Sequence, residues 1–166
     1  MIIETDRLEI IPLTGKQLKL SIEDMSSLEK ELNFTYKGDL LEGFFLDIFK
    51  SQLKITLEDE DNYMYHTFWF IIRKEDRICI GSSDFKDVPN ENGEIEIGYG
   101  ITKPFEHKGY MTECVQAMCT WGLNQKNIKS IIAETECDNI PSQNVLKRCS
   151  FKKYKEEETM WWRLDK

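Results

Sequence analysis

The sequence predicts a mixed α/β (α+β) fold, in which about four helices flank a twisted, mostly antiparallel sheet of about six to seven strands. Apolar residues recur at spacings of three and four between Leu40 and Leu57, which is typical of a helix with one buried face. Between residues 63 and 101, three strand-like segments follow one another through short polar turns, which favours an antiparallel meander. The chain has 166 residues, of which 40% are hydrophobic, so we expect a single domain over residues 1–166.

The elements are assigned in chain order from apolar periods of two residues for strands and about 3.6 for helices. Strands are predicted at residues 7–13, 63–73, 77–85, 94–101 and 129–135, with two short ones near Phe151 and at 159–164. Helices are predicted at residues 14–24, 40–57, 110–125 and 141–149. An acidic run that starts at Glu58 ends the second helix, and an apolar stripe with Cys114 and Val115 marks the third.

The charge balance limits the classes of partner. The chain carries 22 Lys and Arg against 30 Asp and Glu, so its surface as a whole repels nucleic acid and anionic membranes and attracts cationic substrates. No apolar window is long enough to span a membrane and the N-terminus lacks the pattern of a signal peptide, so we expect a cytoplasmic protein. The five cysteines include no CxxC pair; we expect them to be reduced core residues, and no metal site is expected.

The strand predicted at residues 94–101 has an unusual face. Period-two alternation places Gly98 and Gly100 on the same face as Glu94 and Glu96. Glycine weakens a strand, so two of them at alternate positions indicate a bulge or the close approach of another group to the backbone. The simpler interpretation is a solvent-exposed face with incidental glycines.

The segment after this strand runs directly into a helix. Unpaired N–H groups and the positive end of the helix dipole make such a junction a natural site for an anion. Lys108 adds a cation there, and Gly109 lets the backbone come close to a pyrophosphate. The segment matches neither GxGxxG nor GxxxxGK[ST], so neither a dinucleotide-binding fold nor a nucleotide triphosphatase is indicated.

In these segments the chain resembles the GNAT N-acetyltransferases, and among them the branch of the ribosomal-protein N-terminal acetyltransferases. The resemblance rests on TDRLEIIPLT near the N-terminus, EIGYGI in the glycine-bearing strand, KGYMTE at the loop and helix start, and DNIPSQNVLKRCSF near the C-terminus. It implies acetyl-CoA as co-substrate and no metal. It also implies that the backbone of Tyr99, Gly100 and Ile101 pairs with the pantetheine arm and that Asn139 and Ser142 lie near the thioester. The pyrophosphate would be wrapped by His107, Lys108, Gly109, Tyr110, Met111 and Thr112.

The chain departs from the family pattern at three positions. Glu106 stands where the family usually has Gln or Arg, Met111 where it has Gly or Ala, and Ser150 where it has Gly. A carboxylate about 4 Å from a phosphate charge would cost about 1 kcal/mol in water and about 4 kcal/mol at an effective dielectric constant of 20. We therefore expect Glu106 to point away from the coenzyme. Ser150 follows a predicted helix, where the left-handed conformation is common.

Acetyl transfer to an amine requires a proton acceptor, because amines with pKa values of about 8 to 10.4 are mostly charged at neutral pH. We expect Glu96 in this role, with Glu94 as the reserve, although Glu96 also fits a solvent-facing residue or one paired with lysine. A backbone N–H between residues 97 and 99, freed by a bulge, is expected to stabilise the oxyanion. Ser142 and Tyr154 are candidates to return a proton to the thiolate, but a helix-capping serine and a strand aromatic would look the same.

The expected reaction is direct transfer of an acetyl group from acetyl-CoA to a primary amine, either a peptide or protein N-terminus or a small cationic amine. The alternatives are a non-catalytic acyl-CoA-binding or partner-docking module, and an enzyme that uses another donor such as succinyl-CoA. The acceptor pocket is expected between residues 33–57 and the C-terminal strands. Trp161 and Trp162 are compatible with a homodimer interface and equally with a core.

Overall fold

A computed structural model describes residues 1–166. The strands are β1 Ile3–Glu4, β2 Leu8–Pro12, β3 Thr35–Tyr36, β4 Phe68–Arg73, β5 Ile78–Phe85, β6 Glu94–Ile101, β7 Ser130–Glu136, β8 Lys152–Glu156 and β9 Thr159–Asp165. The helices are α1 Gly15–Glu23, α2 Met25–Leu32, α3 Gly43–Glu58, α4 Tyr110–Leu123 and α5 Ile140–Arg148, with short 3₁₀ turns at Glu60–Tyr65 and Lys103–Phe105. None of the helices combines the length and apolar character needed to cross a membrane.

All nine strands belong to one sheet, which confirms the predicted mixed α/β fold. Its order is β1-β2-β4-β5-β6-β7-β9-β8, and the short β3 pairs with β5 outside this path. The pairings are antiparallel except β3 with β5 and β6 with β7. The predicted meander is therefore confirmed as β4-β5-β6.

Two parts of the sequence prediction differ from the structure. The strand predicted at 63–73 begins only at Phe68, because the preceding segment forms a 3₁₀ turn in which Asp59 contacts Asn62 and His66. A further helix, α2, follows α1 immediately, since Asp24 ends α1 and its side chain accepts a hydrogen bond from the Ser27 N–H at the start of α2. The strands β1 and β3 were not predicted, and Cys137 is exposed rather than buried.

Helices pack on both faces of the sheet and form two apolar cores. Alternation along β4 divides its side chains between them: Trp69 packs with α4 and α5, whereas Phe68 and Phe70 pack with α1 to α3. The period-two face of β6 that carries Ile95 and Ile97 lies in the first core. Its other face, with the two glycines, therefore lies on the side of α1 to α3.

The two central strands separate in the middle of the sheet. β6 pairs with β7 only from Glu94 to Glu96, while its pairing with β5 continues in regular register to Ile101. Because the Glu96 carbonyl accepts from Lys86 N–H, the N–H and C=O groups of the even-numbered residues point to β5. The N–H of residue 97 still pairs with the Ile132 carbonyl of β7, whereas the N–H and C=O groups of residues 99 and 101 point to the opening beyond this pair. The predicted bulge is absent, and the divergence of β7 frees these N–H groups instead.

Candidate active site

A cavity of about 490 Å³ lies at the opening between β6 and α5, against the N-terminus of α4. Gly109 is the N-cap of α4, with a left-handed φ of 81° and no side-chain cap. None of the six N–H groups from His107 to Thr112 donates a hydrogen bond within the chain. These N–H groups, together with the helix dipole, have the arrangement that suits an anion.

The ten residues predicted to contact the coenzyme all line this cavity. They are Tyr99, Gly100, Ile101, His107, Lys108, Gly109, Tyr110, Met111, Thr112 and Asn139. The Met111 side chain is buried in the core, so this residue presents only backbone to the cavity. Glu106 also lines it, with its carboxylate 3.9 Å from the imidazole of the exposed His107.

Two cations give the cavity a positive character that the acidic chain as a whole lacks. Lys108 belongs to the predicted loop, whereas Arg148 comes from the last turn of α5 and was not predicted. Both side chains are exposed and can reach a phosphate group. The only signal for Arg148 in the sequence is its place in the DNIPSQNVLKRCSF segment.

Arg7 supports the loop at residues 107–109 and the start of α4, and this role was not predicted from the sequence. Its guanidinium donates to the Lys108 carbonyl at 2.9 Å and to the Glu113 carboxylate at 2.7 Å, and it lies 4.3 Å from the centre of the Tyr110 ring. Burial acts to raise the pKa of Glu113, but hydrogen bonds from Thr5 and Arg7 hold it below its usual value. The N-terminal segment is thus tied to the start of α4.

Tyr99 and Ser142 form a hydroxyl pair where the cavity meets β6. Their oxygens are 2.8 Å apart. Burial raises the pKa of Tyr99 to about 12, although the contact with Ser142 opposes this, so the phenol stays protonated at neutral pH. Asn139 caps α5 by accepting from the Ser142 N–H at 3.2 Å. Tyr154 is on β8 and lines neither this cavity nor the second one.

A second cavity, of about 280 Å³, lies on the other face of the sheet, between α3 and strands β4 to β6. Its apolar wall consists of Tyr36, Phe45, Ile48, Phe49, Phe68 and Phe70. The two cavities share Tyr99, Gly100 and Ile101. They therefore meet across the free edge of β6. The predicted acceptor region is partly in place, since α3 supplies a wall, but Trp161 and Trp162 line neither cavity.

The two predicted carboxylates of β6 have different environments. Burial raises the pKa of the half-buried Glu96; Lys86 opposes the change, and the nearby carboxylates of Glu134 and Asp84 add to it. Glu94 instead accepts hydrogen bonds from Asn90 and Arg163, which hold its pKa below the usual value. Glu96 is consequently the better proton acceptor of the two.

Asp84 is a buried carboxylate in the second cavity, and it was not predicted. Its residue exposure is 7%, and burial raises the pKa of its carboxyl group. A Cβ at Gly98 would lie 2.7 Å from an Asp84 oxygen and from the Lys86 ammonium. The side chains of Asp84 and Lys86 thus cover Gly98, which explains the first glycine on this face. Gly100 borders open space, because a Cβ there would meet no atom within 4 Å.

Comparisons with known proteins agree with this geometry. The family profile described as "Acetyltransferase (GNAT) domain" matches residues 35–152. An uncharacterized N-acetyltransferase of Bacillus subtilis, YjdG, is 27% identical over 151 residues, which cover 91% of this chain and 89% of the relative.

Solved structures of similar fold include the ribosomal-protein-S5-alanine acetyltransferase of Vibrio fischeri, with a TM-score of 0.73 and 16% identity over 99% of this chain and 96% of that one. Another is RimL, a ribosomal L7/L12 alpha-N-protein acetyltransferase in complex with coenzyme A, with a TM-score of 0.72 and 15% identity over 99% and 98% of the two chains. The chain belongs to the GNAT acetyltransferase family and is an acetyl-CoA-dependent N-acetyltransferase. The resemblance drawn from the sequence is confirmed.

Proposed function

We propose that this enzyme transfers the acetyl group directly from acetyl-CoA to a primary amine while both are bound. The observation that carries the proposal is the meeting of two cavities at Tyr99, Gly100 and Ile101, with an anion site at the far end of one and the buried carboxylate of Asp84 in the other. A donor and an acceptor bound on opposite faces of β6 can react there without a covalent enzyme intermediate.

The first cavity would hold the coenzyme. The N–H groups of residues 107–112, together with Lys108 and Arg148, suit a pyrophosphate. The free N–H and C=O groups of Tyr99 and Ile101 suit the amide groups of a pantetheine arm. Glu106 is exposed, so its carboxylate can remain in solvent, away from the phosphates.

Acetyl-CoA supplies the acetyl group as a thioester, and the protein supplies proton transfer and charge stabilisation. Glu96 lines neither cavity, so it accepts through water the proton that the acceptor ammonium loses before its nitrogen attacks. The free N–H of Tyr99 donates to the developing oxyanion. As the C–N bond forms and the C–S bond breaks, Ser142 gives its proton to the departing thiolate and takes up the second proton that the nitrogen loses on becoming an amide, while the hydrogen bond with Tyr99 holds its hydroxyl in place. We assign this role to Ser142 rather than Tyr154 because Ser142 lines the coenzyme cavity and its hydroxyl lies 2.8 Å from that of Tyr99.

The acceptor is proposed to be a peptide or protein N-terminus or a small amine. Two structural neighbours act on ribosomal proteins according to their names, which favours including peptide N-termini among the substrates tested. The donor is proposed to be acetyl-CoA, and succinyl-CoA serves as the comparison in the same assay.

The test is release of coenzyme thiol from acetyl-CoA in the presence of a panel of peptides and small amines. We expect release above background only when both substrates are present. Glu96→Gln should lower kcat by about 10²- to 10⁴-fold with little change in the dissociation constant of acetyl-CoA. The matched control is Glu91→Gln, at an exposed position in the β5–β6 turn, and it should leave kcat unchanged.

The alternative of a non-catalytic acyl-CoA-binding module makes the opposite prediction. Acetyl-CoA would then bind tightly, no amine would release thiol, and Glu96→Gln would change no measurable property of the complex. A kcat that is equal in Glu96→Gln and wild type would remove Glu96 from the mechanism without removing the activity.

A further inference from the structure

We infer, on the basis of the proposed function, that the acceptor is a primary amine carried on an apolar or aromatic body and that Asp84 binds its ammonium group. The second cavity combines one buried carboxylate with an aromatic wall. The acidic composition alone allows any cationic amine, whereas this combination favours an amine with one ammonium group and an apolar body.

Asp84 lacks a close partner inside the chain. Its residue exposure is 7%, yet its nearest cation, the Lys86 ammonium, is 3.5 Å away, beyond the about 2.7–2.9 Å of a charge-assisted hydrogen bond. The Lys86 side chain is itself half exposed. A buried carboxylate without a strong partner is costly for folding, and an ammonium group arriving in the cavity would satisfy it.

The backbone places this carboxylate beside the reaction centre. Asp84 is the cross-strand partner of Gly98, and Ser82 is the partner of Gly100, where the two cavities meet. Gly100 is two residues along β6 from Gly98, a distance of about 7 Å. An amine held by Asp84 therefore lies next to the coenzyme cavity.

The rest of the cavity suits an apolar body. The Phe49 and Phe68 rings stack with centroids 4.1 Å apart, and Tyr36 stacks on Phe70 at 5.7 Å. Only one other carboxylate, that of the exposed Asp39, lines the cavity. A polyamine or an aminoglycoside would bring several ammonium groups into a site with one buried carboxylate and the Lys86 cation, and its extra charges would lose their water without compensation.

The experiment measures acetylation of phenethylamine, a peptide with an N-terminal Phe, spermidine and kanamycin by wild type, Asp84→Asn and Gly98→Ala. We expect kcat/KM for phenethylamine or for the Phe peptide to exceed that for either polycation at least about tenfold. The substrate with the higher kcat/KM of these two shows whether the amine belongs to a small molecule or to a peptide. Either result supports the inference. Asp84→Asn should raise KM for the amine about 10- to 100-fold, with little change in acetyl-CoA affinity.

Two further variants make the test specific. In Gly98→Ala the added methyl group occupies the place of the Asp84 oxygen and the Lys86 ammonium, so KM for the amine should rise although no charge is lost. Asp61→Asn, at an exposed position that lines neither cavity, removes the same charge and should have no effect. Unchanged acetyl-CoA binding in each variant shows that the fold is intact.

A preference for spermidine or kanamycin, or an Asp84→Asn variant that behaves like Asp61→Asn, would overturn the inference while leaving the proposed acetyl transfer in place. If no amine releases thiol, the proposed function itself is wrong. Calorimetric titration of phenethylamine into protein saturated with coenzyme A then decides the role of Asp84. Binding that is lost in Asp84→Asn supports it, and equal or absent binding in both proteins refutes it.

Discussion

Replacing Gly109 by Ala should damage coenzyme binding more than it damages stability. Gly109 has φ 81°, and the left-handed conformation costs a residue with a Cβ about 1–2 kcal/mol. Loss of backbone freedom in the unfolded chain returns about 0.4–1 kcal/mol, so the unfolding free energy should fall by about 1 kcal/mol. The new methyl group would also lie 3.3 Å from the Arg7 guanidinium that supports the loop.

The loss of acetyl-CoA affinity should be larger, because the loop at residues 107–112 binds through several adjacent N–H groups. A shift of the loop that breaks one charge-assisted hydrogen bond costs about 1.5–3 kcal/mol, which is about a 10- to 100-fold rise in the dissociation constant of acetyl-CoA. Calorimetric titration measures it. Gly43→Ala is the matched control: Gly43 has φ 56° and a Cβ there meets no atom within 4 Å, so stability should fall similarly with no loss of affinity. Equal acetyl-CoA affinities in Gly109→Ala and Gly43→Ala would refute a coenzyme site at the Gly109 loop.

Three other predictions concern strain, loop support and buried charge. Ser150→Gly should raise the unfolding free energy by about 0.5–1 kcal/mol in chemical denaturation, because Ser150 has φ 69° at the end of α5; an unchanged midpoint would contradict this. Arg7→Ala should weaken acetyl-CoA binding about three- to tenfold in calorimetry by releasing the Lys108 carbonyl and Glu113; wild-type affinity would show that the loop holds itself. Asp84→Asn should raise the melting temperature at pH 7. The raised pKa of Asp84 means that the folded protein binds more protons than the unfolded chain above about pH 4, so wild type loses stability as pH rises through that region and the variant does not. If the difference in melting temperature between Asp84→Asn and wild type shrinks with rising pH, the raised pKa of Asp84 is wrong.

The sequence predicted correctly those elements whose signals lie within their own residues or directly beside them. Strand β6 has the predicted bounds of 94–101, and α4 begins at the predicted Tyr110, because the period of two and the glycine-bearing junction are both local signals. The cysteine-rich apolar stripe of α4 is buried as expected. The strand predicted from Tyr63 failed because aromatic residues favour strands in general, while the contact between Asp59 and His66 favours a turn in this place.

The parts of the site that the sequence did not reveal depend on pairing across the sheet. Asp84 appears in its strand as one polar residue after two serines, and its role follows only from its position opposite Gly98. Arg7 is separated from the Lys108 carbonyl by 101 positions in the chain. The bulge expected in β6 was a reasonable local explanation for glycine, but the strand is regular and the gap comes from β7, more than thirty residues further along.

The central claim is direct transfer between two ligands that meet across β6, and initial-rate kinetics test it most directly. Acetyl-CoA and the best amine of the panel would be varied together, with thiol release as the signal. The account predicts double-reciprocal lines that intersect, and no thiol from acetyl-CoA alone, because both ligands must be present before the C–S bond breaks. Parallel lines with a burst of thiol in the absence of amine would indicate an acetylated enzyme and contradict it.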